Sequence, residues 1–130
     1  MCSYGESTEM DVQDLEIYKS AMLIGDRVWR IVSSWSDFDR RTIGIQITRA
    51  SDSIAANLSE GYGRYHFREN RQFCYYARGS LHELRTWLEK AATRGLIGEQ
   101  DFNELNVDIT LLGKRLNAYI SSIGRNNNSQ

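Results

Sequence analysis

The chain has 130 residues, a formal net charge of −1, 25% charged residues and no proline. That is about one domain, large enough to bury roughly two-thirds of its unfolded surface without disulfides or a metal. Its two cysteines, Cys2 and Cys74, exclude a disulfide framework and point to a reducing compartment. MCSYGESTEM lacks the apolar stretch of a secretory leader, and no apolar run approaches the length of a membrane span, so the sequence predicts a soluble, cytoplasmic protein that does not engage a membrane.

Residues 1–10 are predicted to be a disordered N-terminus and 124–130 a disordered tail, flanking one helical domain over 11–123. Apolar residues recur at steps of three and four, the helical period. Helix one is expected over about 11–34, with Leu15, Tyr18, Met22, Gly25, Trp29 and Val32 on its buried stripe. Helix two, about 37–60, opens with Ser36 and Asp39 as a capping pair and buries Ile43, Ile47, Ala50, Ile54 and Leu58. Helix three, about 69–94, places Phe73, Ala77, Leu81, Leu84, Leu88 and Ala91 inward and closes on a last-turn Arg94 followed by a C′ glycine, Gly95. Helix four, about 99–123, buries Phe102, Leu105, Ile109, Leu112, Leu116, Tyr119 and Ile123. Connections this short force antiparallel neighbours, so the predicted fold is all-α, an antiparallel up-down-up-down four-helix bundle.

The charge is segregated. Residues 1–39 carry a net −5, residues 40–94 a net +5 and residues 95–130 a net −1. Helix two has a polar stripe of Gln46, Arg49, Ser53, Asn57, Glu60 and Arg64, and helix three a basic one of Arg71, Tyr75, Arg78, His82 and Arg85. Solvated faces are the plainer reading of both, and a phosphate-binding surface is the other. Gly79, inside helix three, costs on the order of 1 kcal/mol relative to alanine. It points either to tight packing of helices two and three or to an interface between subunits.

No catalytic constellation is present, and an enzyme is not expected. The Glu-x-x-His pattern of a di-iron bundle is missing, since Gly63 and Gly79 stand three before His66 and His82, so no metal or other cofactor is predicted. Cys74 and His82 are about 12 Å apart along one helix, too far for a thiolate–imidazole pair. Cys74 reads as a small buried hydrophobe. No small-molecule substrate is expected.

QITRASDSIAANLSEGYGR, followed by FCYYARGSLHELRTWLEKA, resembles the bacterial four-helix-bundle proteins encoded in intervening sequences of 23S rRNA genes. The matching positions are Gln46, Arg49, Ala50, Ser53, Ile54, Asn57, Glu60, Gly61, Gly63 and Arg64, then Phe73, Ala77, Arg78, Gly79, Ser80, Glu83 and Leu84. Thr48 stands where members often carry a second arginine, and Ala55 where they often carry proline. Accessory proteins of diversity-generating retroelements share that fold and form five-fold rings with a basic surface. The resemblance therefore implies a non-catalytic homo-oligomer, with a five-fold ring as the expected form, that binds RNA or DNA, with a protein-only scaffold as the alternative. Arg49, Arg64, Arg71, Tyr75 and Arg85 are the candidate nucleic-acid contacts. Ser53, Asn57, Glu60, Gly61, Arg78, Gly79, Ser80 and Glu83 read as architectural or interface residues, with Arg64 or Arg78 expected to supply donors to a partly buried Glu60, and Arg78 paired to Glu60 or Glu83.

Overall fold

A computed structural model describes residues 11–125. The predicted disorder of 1–10 and of the last five tail residues lies outside the described residues, as do Cys2 and Tyr4. A short 3₁₀ turn, Val12–Asp14, leads into α1, Glu16–Ser33. The second helix has three consecutive pieces, Asp37–Asp39, a π-helical Arg40–Gly44 and Ile45–Tyr62, together called α2. Then follow α3, Phe67–Thr93, and α4, Glu99–Ser122. Among the described residues there is no strand, so the chain is all-α with four long helices.

The ends form for the reasons the sequence gives. Ser36 Oγ accepts from the Asp39 amide at 3.3 Å and donates to the Asp39 carboxylate at 2.9 Å, closing the start of α2. At the end of α3, Leu96 N–H reaches the Ala91 carbonyl at 2.9 Å and Gly95 N–H the Ala92 carbonyl at 3.1 Å, with Gly95 at φ +74°. This is a Schellman closure, and it needs glycine because L side chains avoid that φ.

Each helix touches two others, α1 with α2 and α4, and α3 with α2 and α4. Late α2 meets early α3, with Gly61 against Asn70 and Phe73, early α3 meets late α4, with Arg71 against Ile123, and the middles of α1 and α2 meet where Gly25 lies against Ser51 and Asp52. One apolar core runs between them, with Ile54, Leu84, Leu105, Ile109, Leu112 and Leu116 fully buried.

The stripes predicted for helices two to four are the buried ones, with Phe73, Phe102 and Tyr119 at their half-buried margins. Helix one differs. Its buried residues are Ile17, Ala21, Ile24, Gly25, Val28 and Val32, while Met22 and Trp29 are 45% and 62% exposed. The true face is the expected one turned by a single residue. Small and β-branched side chains fill it because α1 and α2 approach closely there. A Cβ on Gly25 would stand 3.1 Å from Asp52 Oδ1, and a methionine or indole beside it would hold the helices apart. Trp35, in the short link after α1, is part of the core.

Candidate nucleic-acid interface

The two predicted stripes lie on different edges of α3. The edge facing α4 carries Arg71, Tyr75, Arg78, His82 and Arg85. There Arg71 Nη1 donates to the Ile123 carbonyl at 3.0 Å, Arg78 Nη1 to Asn117 Oδ1 at 2.9 Å, and Arg85 Nη2 to Thr110 Oγ1 at 3.2 Å. The three acceptors descend α4 as the three arginines climb α3, so the guanidinium groups form a ladder across the seam. All three acceptors are uncharged. Among the described residues, none of these arginines makes a salt bridge, whereas Arg27, Arg40, Arg41 and Arg64 each pair with a carboxylate. Arg85 Nε is buried with no hydrogen-bond partner among the described residues. Tyr75, 42% exposed, lies under the Arg78 guanidinium at 5.0 Å. Lys114, exposed on α4 between Thr110 and Asn117 at helical spacing, adds a fourth cation to this edge.

The other edge of α3 faces α2 and is built from neutral groups. Ser53 Oγ sits 2.6 Å from Ser80 Oγ and 3.0 Å from the Ala50 carbonyl. With one proton to give, it donates to the carbonyl and accepts from Ser80. Asn57 turns back on its own helix, donating to the Ser53 carbonyl at 2.8 Å. At the corner, a Cβ on Gly61 would meet Asn70 Oδ1 at 2.8 Å and Phe73 Cβ at 2.9 Å, so glycine is what lets the helices close. Glu60 is exposed, not partly buried as expected, and accepts from Arg64 at 2.6 Å. Arg64 also covers the Phe73 ring at 4.8 Å. Of the polarity in the middle of α2, Ser53 joins α2 to α3 through Ser80, while Asn57 bonds within its own helix.

Three expectations change. Arg78 pairs with neither Glu60 nor Glu83: Asn117 holds it, and Glu83 accepts from Trp87 Nε1 at 3.3 Å. Gly79 is not a point of tight packing between helices two and three, because an added Cβ there would meet nothing within 4 Å. The close approach is at Gly61. Third, the candidate nucleic-acid contacts do not form one surface. Arg71, Tyr75 and Arg85 share the α3–α4 seam, Arg64 sits at the α2–α3 corner, and Arg49 lines a separate groove between α1 and α2. The sequence reasoning missed the acceptors Thr110 and Asn117 and the cation Lys114. Their spacing of four and then three on one face of helix four was the signal.

Two further groups bear on chemistry. Burial pushes the Cys74 thiol up to about 11, which keeps it protonated and poorly nucleophilic at neutral pH. Burial and the neighbouring Asp26 raise the Asp52 carboxyl above its usual range. Among the described residues, no group of three or more His, Cys, Asp or Glu side chains converges as a metal site, and no helix is long and apolar enough to cross a membrane.

The fold and the seam thus define an all-helical four-helix protein with a row of positioned arginines on one edge. The chain belongs to the family described as 23S rRNA-intervening sequence protein, whose sequence profile matches residues 13–118. A solved structure from Bacteroides thetaiotaomicron VPI-5482, described as a protein of unknown function from the S23 ribosomal protein family, is similar in fold. The two share 20% identity at a TM-score of 0.73, over 82% of this chain and 99% of that one. No curated protein matches the chain.

Proposed function

We propose that the protein is a non-catalytic, self-associating bundle that binds RNA or DNA through its phosphates, an accessory factor rather than an enzyme. The observation that carries this reading is the ladder of Arg71, Arg78 and Arg85 held by a carbonyl, an amide and a hydroxyl. A surface arginine that serves only solubility is free to roam or to pair with an acid. Among the described residues these three are held in place with no carboxylate paired to them, and each guanidinium has five donors, of which a single nitrogen is engaged. Seven-residue steps space the groups about 10 Å apart along α3, so the row runs about 21 Å. That suits a polyanion better than a single small anion. Contacts of this kind read phosphate and not sequence, so discrimination between sequences should be weak. The family's name ties its members to 23S rRNA, which makes RNA the first nucleic acid to test.

Self-association is supported by the outer face of α3, where Tyr75 and Tyr76 are about half exposed around the open Gly79. A five-fold ring, as the resemblance implies, would repeat the arginine row around the assembly and build a larger positive field than one subunit of net charge −1 presents. The test is a titration of labelled RNA at several salt concentrations. Affinity should fall steeply as salt rises. Absence of binding at low salt would reject the reading. The protein-only scaffold is favoured by a different observation, the exposed Leu23, Val107 and Leu111 on α1 and α4. It is the reading left standing by that result.

A further inference from the structure

We infer that the groove between α1 and α2 is a second nucleic-acid subsite, one that takes an unpaired base against Trp29 with its phosphate on Arg49; this rests on the nucleic-acid reading above. The groove holds about 600 Å³, within the range of small-ligand sites, and is lined mainly by apolar atoms, with Trp29, Ile45, Thr48, Arg49, Asp52 and Arg40 around it. Its base is set by the π-helical turn. A Cβ on Gly44 would lie 3.0 Å from Val32 Cγ1 and from the Asp39 carbonyl, so glycine lets α2 settle on the end of α1 and leaves Trp29 standing at the rim.

Two side chains there have no polar or ring partner among the described residues. Trp29 is 62% exposed, with no ring or hydrogen-bond partner among the described residues, although α1 has a complete apolar face one residue round. Arg49 is exposed with neither an ion pair nor a hydrogen bond among the described residues, while its neighbour Arg40 is occupied by Asp37 and the Ser33 carbonyl. A bare indole and a free guanidinium in one groove match the two ends of a nucleotide, a flat π-face and an anion. An apolar helix from a protein partner fits the same groove less well. It would cover Trp29 but bury Arg49 and Asp52 without partners, and buried unpaired charge is strongly disfavoured. A nucleotide supplies a phosphate for Arg49, and the exocyclic amine of cytosine or adenine supplies a donor for Asp52.

The two subsites do different work. The α3–α4 ladder meets backbone in single strand or duplex alike, whereas the groove accepts only a base that is out of its pair. The test is fluorescence anisotropy with the full chain and a labelled oligo(dC) of about 20 nucleotides, a duplex of the same length and an abasic oligomer. Trp29→Ala should weaken oligo(dC) binding roughly 5- to 100-fold while leaving the salt slope and duplex binding unchanged, with Trp29→Phe intermediate. The abasic oligomer should bind the natural chain as weakly as oligo(dC) binds Trp29→Ala. Trp29 is exposed, so the variant should fold, and Trp29→Phe provides the comparison if it does not. Equal affinity of the natural chain and the Trp29 variants for oligo(dC) overturns the groove subsite and leaves the arginine ladder intact. Failure to bind the three probes at low salt while labelled RNA is still bound overturns the subsite alone, and failure to bind RNA as well overturns the underlying reading and the subsite with it.

Discussion

A methyl group at position 61 would meet Asn70 Oδ1 at 2.8 Å and the Asn70 carbonyl at 3.0 Å, whereas one at position 79 would meet nothing within 4 Å. The two glycines therefore answer in opposite directions. Gly61→Ala should lose about 1–3 kcal/mol, because the backbone of α3 has to move to admit the Cβ. Gly79→Ala should gain about 0.5–1 kcal/mol through helix propensity alone. Urea denaturation of both variants under conditions where the chain is monomeric checks the pair, and a loss at position 79 would mean that its space is not open. Cys74 offers a second residue-scale test. Its thiol is raised from 9.0 to about 11 by burial, so the folded state holds that proton more tightly than the unfolded chain. The stability this contributes is full below about pH 9 and is lost as pH rises towards 11. In a Cys2→Ser background, Cys74 should react with a thiol reagent at pH 8 at least tenfold more slowly in the folded protein than in urea. Equal rates would place it at the surface.

At the scale of the helix, the rotation of α1 makes the sharpest prediction. Ile24→Ala should cost about 2–5 kcal/mol, and Met22→Ala less than about 0.5 kcal/mol, in thermal or urea denaturation. The reverse order would restore the face first read from the sequence. That face was a reasonable one, since Tyr18, Met22, Gly25 and Trp29 recur at the helical step as well as Ile17, Ala21, Ile24 and Val28 do. Periodicity locates a stripe but does not choose between two adjacent ones, and size decides it: the narrow approach at Gly25 admits the small set. In helices two to four a single apolar stripe was available, and it is the buried one. The π-helical turn at Arg40–Gly44 was not legible, because Ile43 and Ile47 keep a helical spacing through it and only the contact of Gly44 with Val32 gives it a reason. The basic edge of α3 was legible as a stripe from Arg71 to Arg85. Its neutral acceptors were not, because Thr110 and Asn117 carry no charge to mark them and become partners only once α4 lies alongside.

For the whole molecule, the exposed Met22, Leu23, Tyr75, Tyr76, Val107 and Leu111 leave the outer faces of three helices with apolar surface. Multi-angle light scattering at micromolar concentration should give a mass several times 15.0 kDa, and five times that value for a five-fold ring. A 15.0 kDa species would refute self-association. The central claim, that the α3–α4 arginine ladder meets phosphates, is tested most directly by the salt dependence of RNA binding in the natural chain and in Arg71→Gln/Arg78→Gln/Arg85→Gln. Glutamine keeps an amide donor for the α4 acceptors and removes the charge, and far-ultraviolet circular dichroism confirms that the helices remain. The account predicts that the log–log slope of affinity against salt flattens by about 2–3 in the triple variant, close to one for each arginine. An unchanged slope with RNA still bound would contradict it, and would leave the ladder as a device that only fastens α4 to α3.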